Sequence, residues 1–231
     1  AEQHLACGAK RVLFSQPAES CVDATVVYGI NEQTLGPRDT VISNASCTTN
    51  CIVPVIDCLH QGVGIELGTI TTIHSAMNDQ PVIDAYHHTD LRRTRSASTS
   101  IMPVETQLAK GIGMVLPEFA GKFTASAMRV PTVNVSIMDL TMVMSRDTSV
   151  AEINALLEEA AAGKLAGILG YTDELLASCD FNHDARSSIV DGGQTCVTGK
   201  RLVKVMAWFD NEWGFANRML DVAGVLKQFA S

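Results

Sequence analysis

Residues 40–62 constrain the fold of this chain more than any other stretch. A short apolar run, Thr40-Val41-Ile42, leads into Ser43-Asn44-Ala45-Ser46-Cys47-Thr48-Thr49-Asn50-Cys51. Cys51, Ile52, Val55, Ile56 and Leu59 then recur at helical spacing and make one buried stripe. Ser46 is a good N-cap, so Cys47 falls in the first helical turn. A thiol there faces free backbone N–H groups and the positive end of the helix dipole, and both favour thiolate. The same N–H groups can receive an anion or the oxygen of a carbonyl under attack. Pro54 removes one backbone bond inside the helix and predicts a kink.

Around this stretch the chain changes character. Residues 1–46 read as α/β: a helix end at 2–7 closed by Gly8, then strands at 11–14, 24–28 and 40–43, rich enough in Val and Ile for a buried parallel sheet. From about residue 65 a long β-prone run ends in His74-Ser75. Residues 80–100 are polar and loop-like. Helices are expected at 105–115 and, opened by a Ser149–Glu152 capping box, at 149–162. Strands are expected at 122–130, 134–145, 187–191, 195–198 and 201–209, and strands in such succession pair antiparallel. In the second of them Met138, Leu140, Met142 and Met144 alternate onto one face. Residues 214–230 close the chain as an amphipathic helix.

Composition excludes whole classes of function. A formal charge of −8 is wrong for a general nucleic-acid binder. No apolar run has the length of a membrane span, and the N-terminus carries no signal peptide. Seven cysteines is an odd number, and two, Cys51 and Cys58, follow Cys47 along one helix, which suits reduced thiols in the cytoplasm rather than a disulfide framework. The chain opens mid-element without an initiator Met, so a fragment lacking its N-terminal part is expected.

Several residues are candidates for chemistry. Cys47 stands out from Cys51 and Cys58 because small polar residues surround it at a helix start. A nucleophilic Cys needs a base, and His74, at a strand end beside Ser75 and Asn78-Asp79, is one of six histidines. Arg129 ends an otherwise apolar strand, where a guanidinium needs an anionic partner. His87-His88 with Asp90 suggests a metal, but adjacent side chains diverge, so no metal site is expected. Gly62-Val63-Gly64-Ile65-Glu66-Leu67-Gly68 looks like a dinucleotide fingerprint, yet its third glycine is displaced and it precedes a strand where the fingerprint follows one.

Taken together, the Ser43–Cys51 stretch, Thr71-Thr72-Ile73-His74-Ser75, Asp90-Leu91-Arg92-Arg93-Thr94-Arg95, Met128-Arg129-Val130-Pro131-Thr132-Val133-Asn134-Val135-Ser136 and Trp208-Phe209-Asp210-Asn211-Glu212-Trp213-Gly214 resemble, in order, the glyceraldehyde-3-phosphate dehydrogenase family. The resemblance spans essentially the whole chain. It implies an α/β remnant of a Rossmann NAD-binding domain followed by an α+β catalytic domain with a mostly antiparallel sheet. The implied division is 1–46 for the remnant, 47–213 for the catalytic domain and 214–231 for a C-terminal helix packing back on the NAD-binding domain. It implies NAD as cofactor, Cys47 as nucleophile and His74 as base. Ser46, Thr48, Arg93, Thr106, Gln107 and Arg129 would hold a small phosphorylated aldose, and Asn211 would orient the nicotinamide. A homotetramer is implied for the full-length protein.

Within the family the resemblance is closer to the erythrose-4-phosphate branch. Met77 stands where phosphorylating members usually carry Thr, and Glu105 falls in their Ser/Thr-rich turn. Both changes weaken binding of a second anion. The His87-His88-Thr89 stretch and Thr94 point the same way, whereas Phe215 departs from the Tyr common in relatives. The implied reaction is oxidation of erythrose 4-phosphate to 4-phosphoerythronate through a Cys47 thioester, with water as acyl acceptor, on a route to pyridoxal phosphate. The alternatives are a phosphorylating glyceraldehyde-3-phosphate dehydrogenase, a Cys–His hydrolase that needs no nucleotide, and an inactive structural fragment.

Overall fold

The computed structural model describes residues 1–18, 21–86 and 90–229. The His87-His88-Thr89 stretch therefore lies outside the described residues. Two sheets share one continuous chain. After a one-turn helix α1 (Glu2–Ala6), strands β1 (Val12–Phe14), β2 (Ala24–Thr25) and β3 (Val41–Ser43) form a small parallel sheet in the order β1-β3-β2. The helix α2 (Cys47–Gly62) follows β3 after three residues and leads to the ten-residue strand β4 (Ile65–His74). The remaining strands are β5 (Met102–Val104), β6 (Phe123–Arg129), β7 (Ser136–Met144), β8 (Leu169–Thr172), β9 (Ser188–Thr198) and β10 (Leu202–Phe209). With β4 they build one seven-stranded sheet in the order β5-β6-β4-β7-β10-β9-β8.

That sheet is mixed, which corrects the expected mostly antiparallel one. β4 pairs parallel with β6, and β8 pairs parallel with β9; the other neighbours are antiparallel. The reason lies in the connections. A crossover through the helix α3 (Leu108–Val115) returns the chain to run beside β4 in the same direction. Succession in sequence therefore misjudges pairing here. The expected strands at 187–191 and 195–198 are one strand, β9. Its register jumps between Lys204 and Met206 of β10, so Gly192-Gly193 sits in a bulge rather than a turn. β5 and β8 were not expected. β5 contains Pro103, which a ladder tolerates because β5 is an edge strand.

The helices α2, α3 and α4 (Val150–Ala162) lie on the same side of the large sheet. The core between them is aliphatic and Met-rich: Ile52, Val55, Ile56 and Leu59 of α2 face Met138, Leu140, Met142 and Met144 of β7, all fully buried. α2 runs unbroken through Pro54, whose missing N–H deprives only the carbonyl one turn earlier of its partner. Ser149 caps α4 by accepting from the Glu152 N–H. The reciprocal half of the capping box does not form, because the Glu152 carboxylate is taken by Arg146 and Thr148. The last helix, α5 (Trp213–Lys227), sends Val222 and Leu226 against Val26, Leu35 and Ile42 at the small sheet. Truncating fully buried Ile42 to Ala is expected to cost about 2–5 kcal/mol of stability. It should also speed amide exchange at residues 222–226; unchanged exchange there would show that α5 does not depend on this contact.

Candidate active site

The strand ends bring the site together. In the large sheet His74 is the last residue of β4 and is register-paired with Arg129, the last residue of parallel β6. Ser136 opens antiparallel β7 opposite Phe209, the last residue of β10. His74, Ser75, Arg129, Ser136 and Asn211 therefore converge on one end of the sheet. α2 starts at the same end. The cavity between them has a volume of about 720 Å³ and reaches Ser15 and Thr25, beyond β1 and at the end of β2. It thus also touches the carboxyl edge of the small parallel sheet, where open α/β sheets bind ligands.

The start of α2 is held by several local bonds. Ser46 caps it by accepting from the Thr49 N–H at 3.0 Å, and its hydroxyl also bonds those of Thr48 and Thr49. Asn50, one turn on, donates from Nδ2 to the carbonyls of Asn44 (2.7 Å) and Ser46 (3.0 Å). Between them Ala45 adopts φ 55°, a left-handed conformation costly for any residue but glycine. Its N–H is met by the Ser43 hydroxyl. Gly111 of α3 lies so close that a Cβ there would stand 2.8 Å from the Thr49 hydroxyl, so the absent side chain lets α3 approach α2.

Cys47 Sγ stands 3.8 Å from His74 Nε2. On its other side the ring bonds the Ser75 carbonyl, with Nδ1 at 2.8 Å. A carbonyl only accepts, so Nδ1 carries the proton and the neutral ring turns its Nε2 lone pair toward the thiol. Burial pushes the Cys47 thiol up to about 11; the Thr48 N–H, Arg129 and the Cys47 N–H pull it down, and Glu212 raises it. Burial also pushes His74 down to about 4, against the Ser75 bond and Asp79, which raise it. The expected helix-start effect is thus present, but desolvation outweighs it. At neutral pH burial favours a thiol and a neutral imidazole, opposing the helix-start effect that favours thiolate.

The cavity wall also includes Ser46, Thr48, Thr106, Gln107, Arg129 and Asn211, with Met77, Glu105, Lys110 and Phe215. Thr106 and Gln107 lie before α3, which begins at Leu108 rather than at 105. The Thr106 hydroxyl accepts from the Leu108 N–H, so the residues before it stay in a loop at the cavity. Arg129 forms no ion pair among the described residues, and its Nε is buried without a partner. Arg93 stands apart from the cavity wall. It is exposed, pairs with Asp90 at 3.4 Å, and acts on Arg129 only through its charge.

Residues 46–211 match the family described as Glyceraldehyde 3-phosphate dehydrogenase, C-terminal domain. The chain belongs to the glyceraldehyde-3-phosphate dehydrogenase family. The matched region opens one residue before Cys47 and closes on Asn211, so it holds Cys47, His74, Arg129 and Asn211 together. Asn211 fits the nicotinamide cofactor implied for this family: its Oδ1 accepts from the Ser75 and Ser136 hydroxyls, both at 2.9 Å, and Nδ2 is the amide's remaining donor at the cavity. The sequence placed Ser75 beside His74 but gave it no role, and gave none to Ser136 or Asn50. All three lie inside motifs that carry the family resemblance, but nothing in their spacing shows which groups they meet. Among the described residues no cluster of three His, Cys, Asp or Glu is placed to hold a metal, and no helix is long and apolar enough to cross a membrane.

The neutral resting pair has two measurable consequences. Alkylation of Cys47 by iodoacetamide, followed peptide by peptide so that the exposed Cys7, Cys21, Cys179 and Cys196 do not interfere, should rise with pH toward about 11. A plateau near neutrality would mean a standing thiolate. A histidine depressed from 6.5 to about 4 contributes stability above pH 6.5 that is lost as pH falls through about 4. The loss is on the order of 3 kcal/mol. Urea unfolding of the protein and of His74→Gln should therefore diverge by that amount between pH 7 and pH 4. Parallel curves would place the His74 pKa near its ordinary value.

Proposed function

We propose that this protein is an NAD-dependent dehydrogenase of phosphorylated aldoses that acts on erythrose 4-phosphate, with water as acyl acceptor. The observation that carries the reading is the company of Cys47. A thiol and its base share one cavity with Arg129, a cation without an ion-pair partner among the described residues, whose Nε is buried and unsatisfied. A buried orphan of that kind calls for an anion supplied by the ligand. A Cys–His hydrolase acting on simple esters has no use for it.

The chain's own residues support the chemistry. His74 Nε2 takes the Cys47 proton as Sγ bonds the aldehyde carbon, so thiolate is generated only as it is consumed. The carbonyl oxygen becomes an oxyanion beside the N–H groups that open α2, then receives the proton from His74. NAD, when bound, supplies the hydride acceptor. His74 is placed to take the hydroxyl proton of the adduct, and the thioester left on Cys47 is the acyl intermediate. Once that proton has passed from the imidazolium to solvent, the neutral imidazole takes a proton from water as its oxygen bonds the thioester carbon; the C–S bond then breaks, His74 returns the proton to the Cys47 sulfur, and the acid is released.

The choice of water over inorganic phosphate rests on two wall residues. Met77 offers no donor, and Glu105 brings negative charge to a cavity that must already hold the substrate's phosphate. The reading extends to the division of the chain. Residues 1–46 would belong to an NAD-binding domain and 47–213 to the catalytic domain, with a homotetramer as the full assembly and the cytoplasm as its place.

The test is steady-state NADH production by the protein expressed from its complete reading frame. Turnover with erythrose 4-phosphate in the absence of inorganic phosphate should exceed turnover with glyceraldehyde 3-phosphate in its presence, and Cys47→Ser should abolish both. A preference for glyceraldehyde 3-phosphate with an absolute need for phosphate would identify the phosphorylating reaction instead.

A further inference from the structure

One buried residue touches both halves of the site through three different polar groups. The Ser75 carbonyl accepts from His74 Nδ1, its hydroxyl donates to Asn211 Oδ1, and its N–H donates to the Ser136 hydroxyl at 3.0 Å. Ser136 in turn donates to the same Asn211 oxygen. Ser75, Ser136 and Asn211 are 0%, 2% and 6% exposed, so water does not compete for these bonds. The geometry points to Ser75 and Ser136 as positioning residues that fix the Asn211 amide and tie its orientation to that of the base.

The hydrogens decide the orientation. With both Oδ1 lone pairs filled by hydroxyl protons, Asn211 can offer the cavity only N–H donors. Turning the amide over would strand two serine hydroxyl hydrogens, because neither hydroxyl has another acceptor among the described residues. It would also press an N–H toward the Ser136 oxygen, which already accepts from Ser75. Stranding buried donors is costly, so the amide is held in one sense. The group it meets must then be an acceptor. A carboxamide carbonyl qualifies, and this inference rests on the reading of the cavity as a nicotinamide site.

The two serines differ in what they support. Ser75→Ala removes one bond to the Asn211 amide but keeps the carbonyl that sets the His74 tautomer. Ser136→Ala removes the second amide bond and also releases the Ser75 backbone, and with it the base.

Calorimetric titration with NAD and the pH profile of Cys47 alkylation, both on protein from the complete reading frame, read these effects separately. Ser75→Ala should weaken NAD binding about five-fold with an unmoved alkylation profile. Ser136→Ala should weaken it at least as much and shift the profile. Ser75→Cys, which keeps a weaker donor in place, should fall between Ser75→Ala and the unaltered protein, and it stands in if the alanine variant does not fold. Wild-type NAD affinity in Ser75→Ala, or in Ser75→Cys where it stands in, overturns the inference, as does an unmoved alkylation profile in Ser136→Ala. Failure of the unaltered protein to bind NAD overturns the nicotinamide reading itself.

Discussion

Desolvation of the start of α2 is the constraint on which the rest of the site depends. A cysteine at an exposed helix N-terminus is drawn toward thiolate by the backbone N–H groups and the helix dipole. Here the same helix start is pressed against the ends of β4, β6 and β10, and the low dielectric favours the neutral forms of both Cys47 and His74. The outcome is a thiol beside a neutral imidazole whose Nδ1 is bonded to the Ser75 carbonyl and whose Nε2 faces the sulfur. An ion pair would be costly to desolvate at rest. On the proposed function, a proton that moves only when a carbonyl carbon arrives would avoid that cost, because the charge would pass from sulfur to an oxygen beside the N–H groups that open α2.

Holding this arrangement requires strain and bracing at one place. The chain leaves β3, turns through a left-handed Ala45 and enters α2 within three residues. Such a conformation costs of order 1–3 kcal/mol. Ser43 and Asn50 grip the turn from both sides, satisfying the Ala45 N–H and the carbonyls of Asn44 and Ser46. A second left-handed residue, Val135 at φ 66°, stands immediately before Ser136. It is β-branched and buried, which makes that conformation still less favourable. Both strained residues thus adjoin groups that position the site, one beside the nucleophile and one beside the brace of the amide.

Much of the fold was legible because it rests on periodicity. The stripe on α2, the alternation of Met138, Leu140, Met142 and Met144, and the long run into His74 all gave elements close to those observed. Pairing was less legible. The parallel β4–β6 ladder depends on where a crossover returns, and the bulge in β9 depends on Gly192-Gly193 being carried through a strand rather than ending one. Nor did spacing distinguish Thr106 and Gln107 in a loop from the first turn of a helix, because the deciding contact is a single hydroxyl. At the site, Cys47 was visible from its helix position. The direction of its pKa was not, since burial is set by strand ends from distant parts of the chain.

Arg129 places one unpartnered buried cationic group on the cavity wall. Its guanidinium is partly desolvated, Asp79 favours its charge, Cys47 favours it only as thiolate, and Arg93 opposes it from outside the wall. On the function proposed above, the substrate's phosphate would settle the orphaned Nε. On that reading a second phosphate would meet Met77, whose side chain supplies no donor, and Glu105, which repels it, with Lys110 as the opposing cation of the wall. Glu105 is exposed, so water screens its repulsion and it would disfavour a second anion without needing to touch it. Water is neutral and meets no such barrier. On the proposed function, preference for water as acyl acceptor would follow from the electrostatics of the wall, while the Cys47–His74 pair would perform the same attack on the aldehyde with either acceptor.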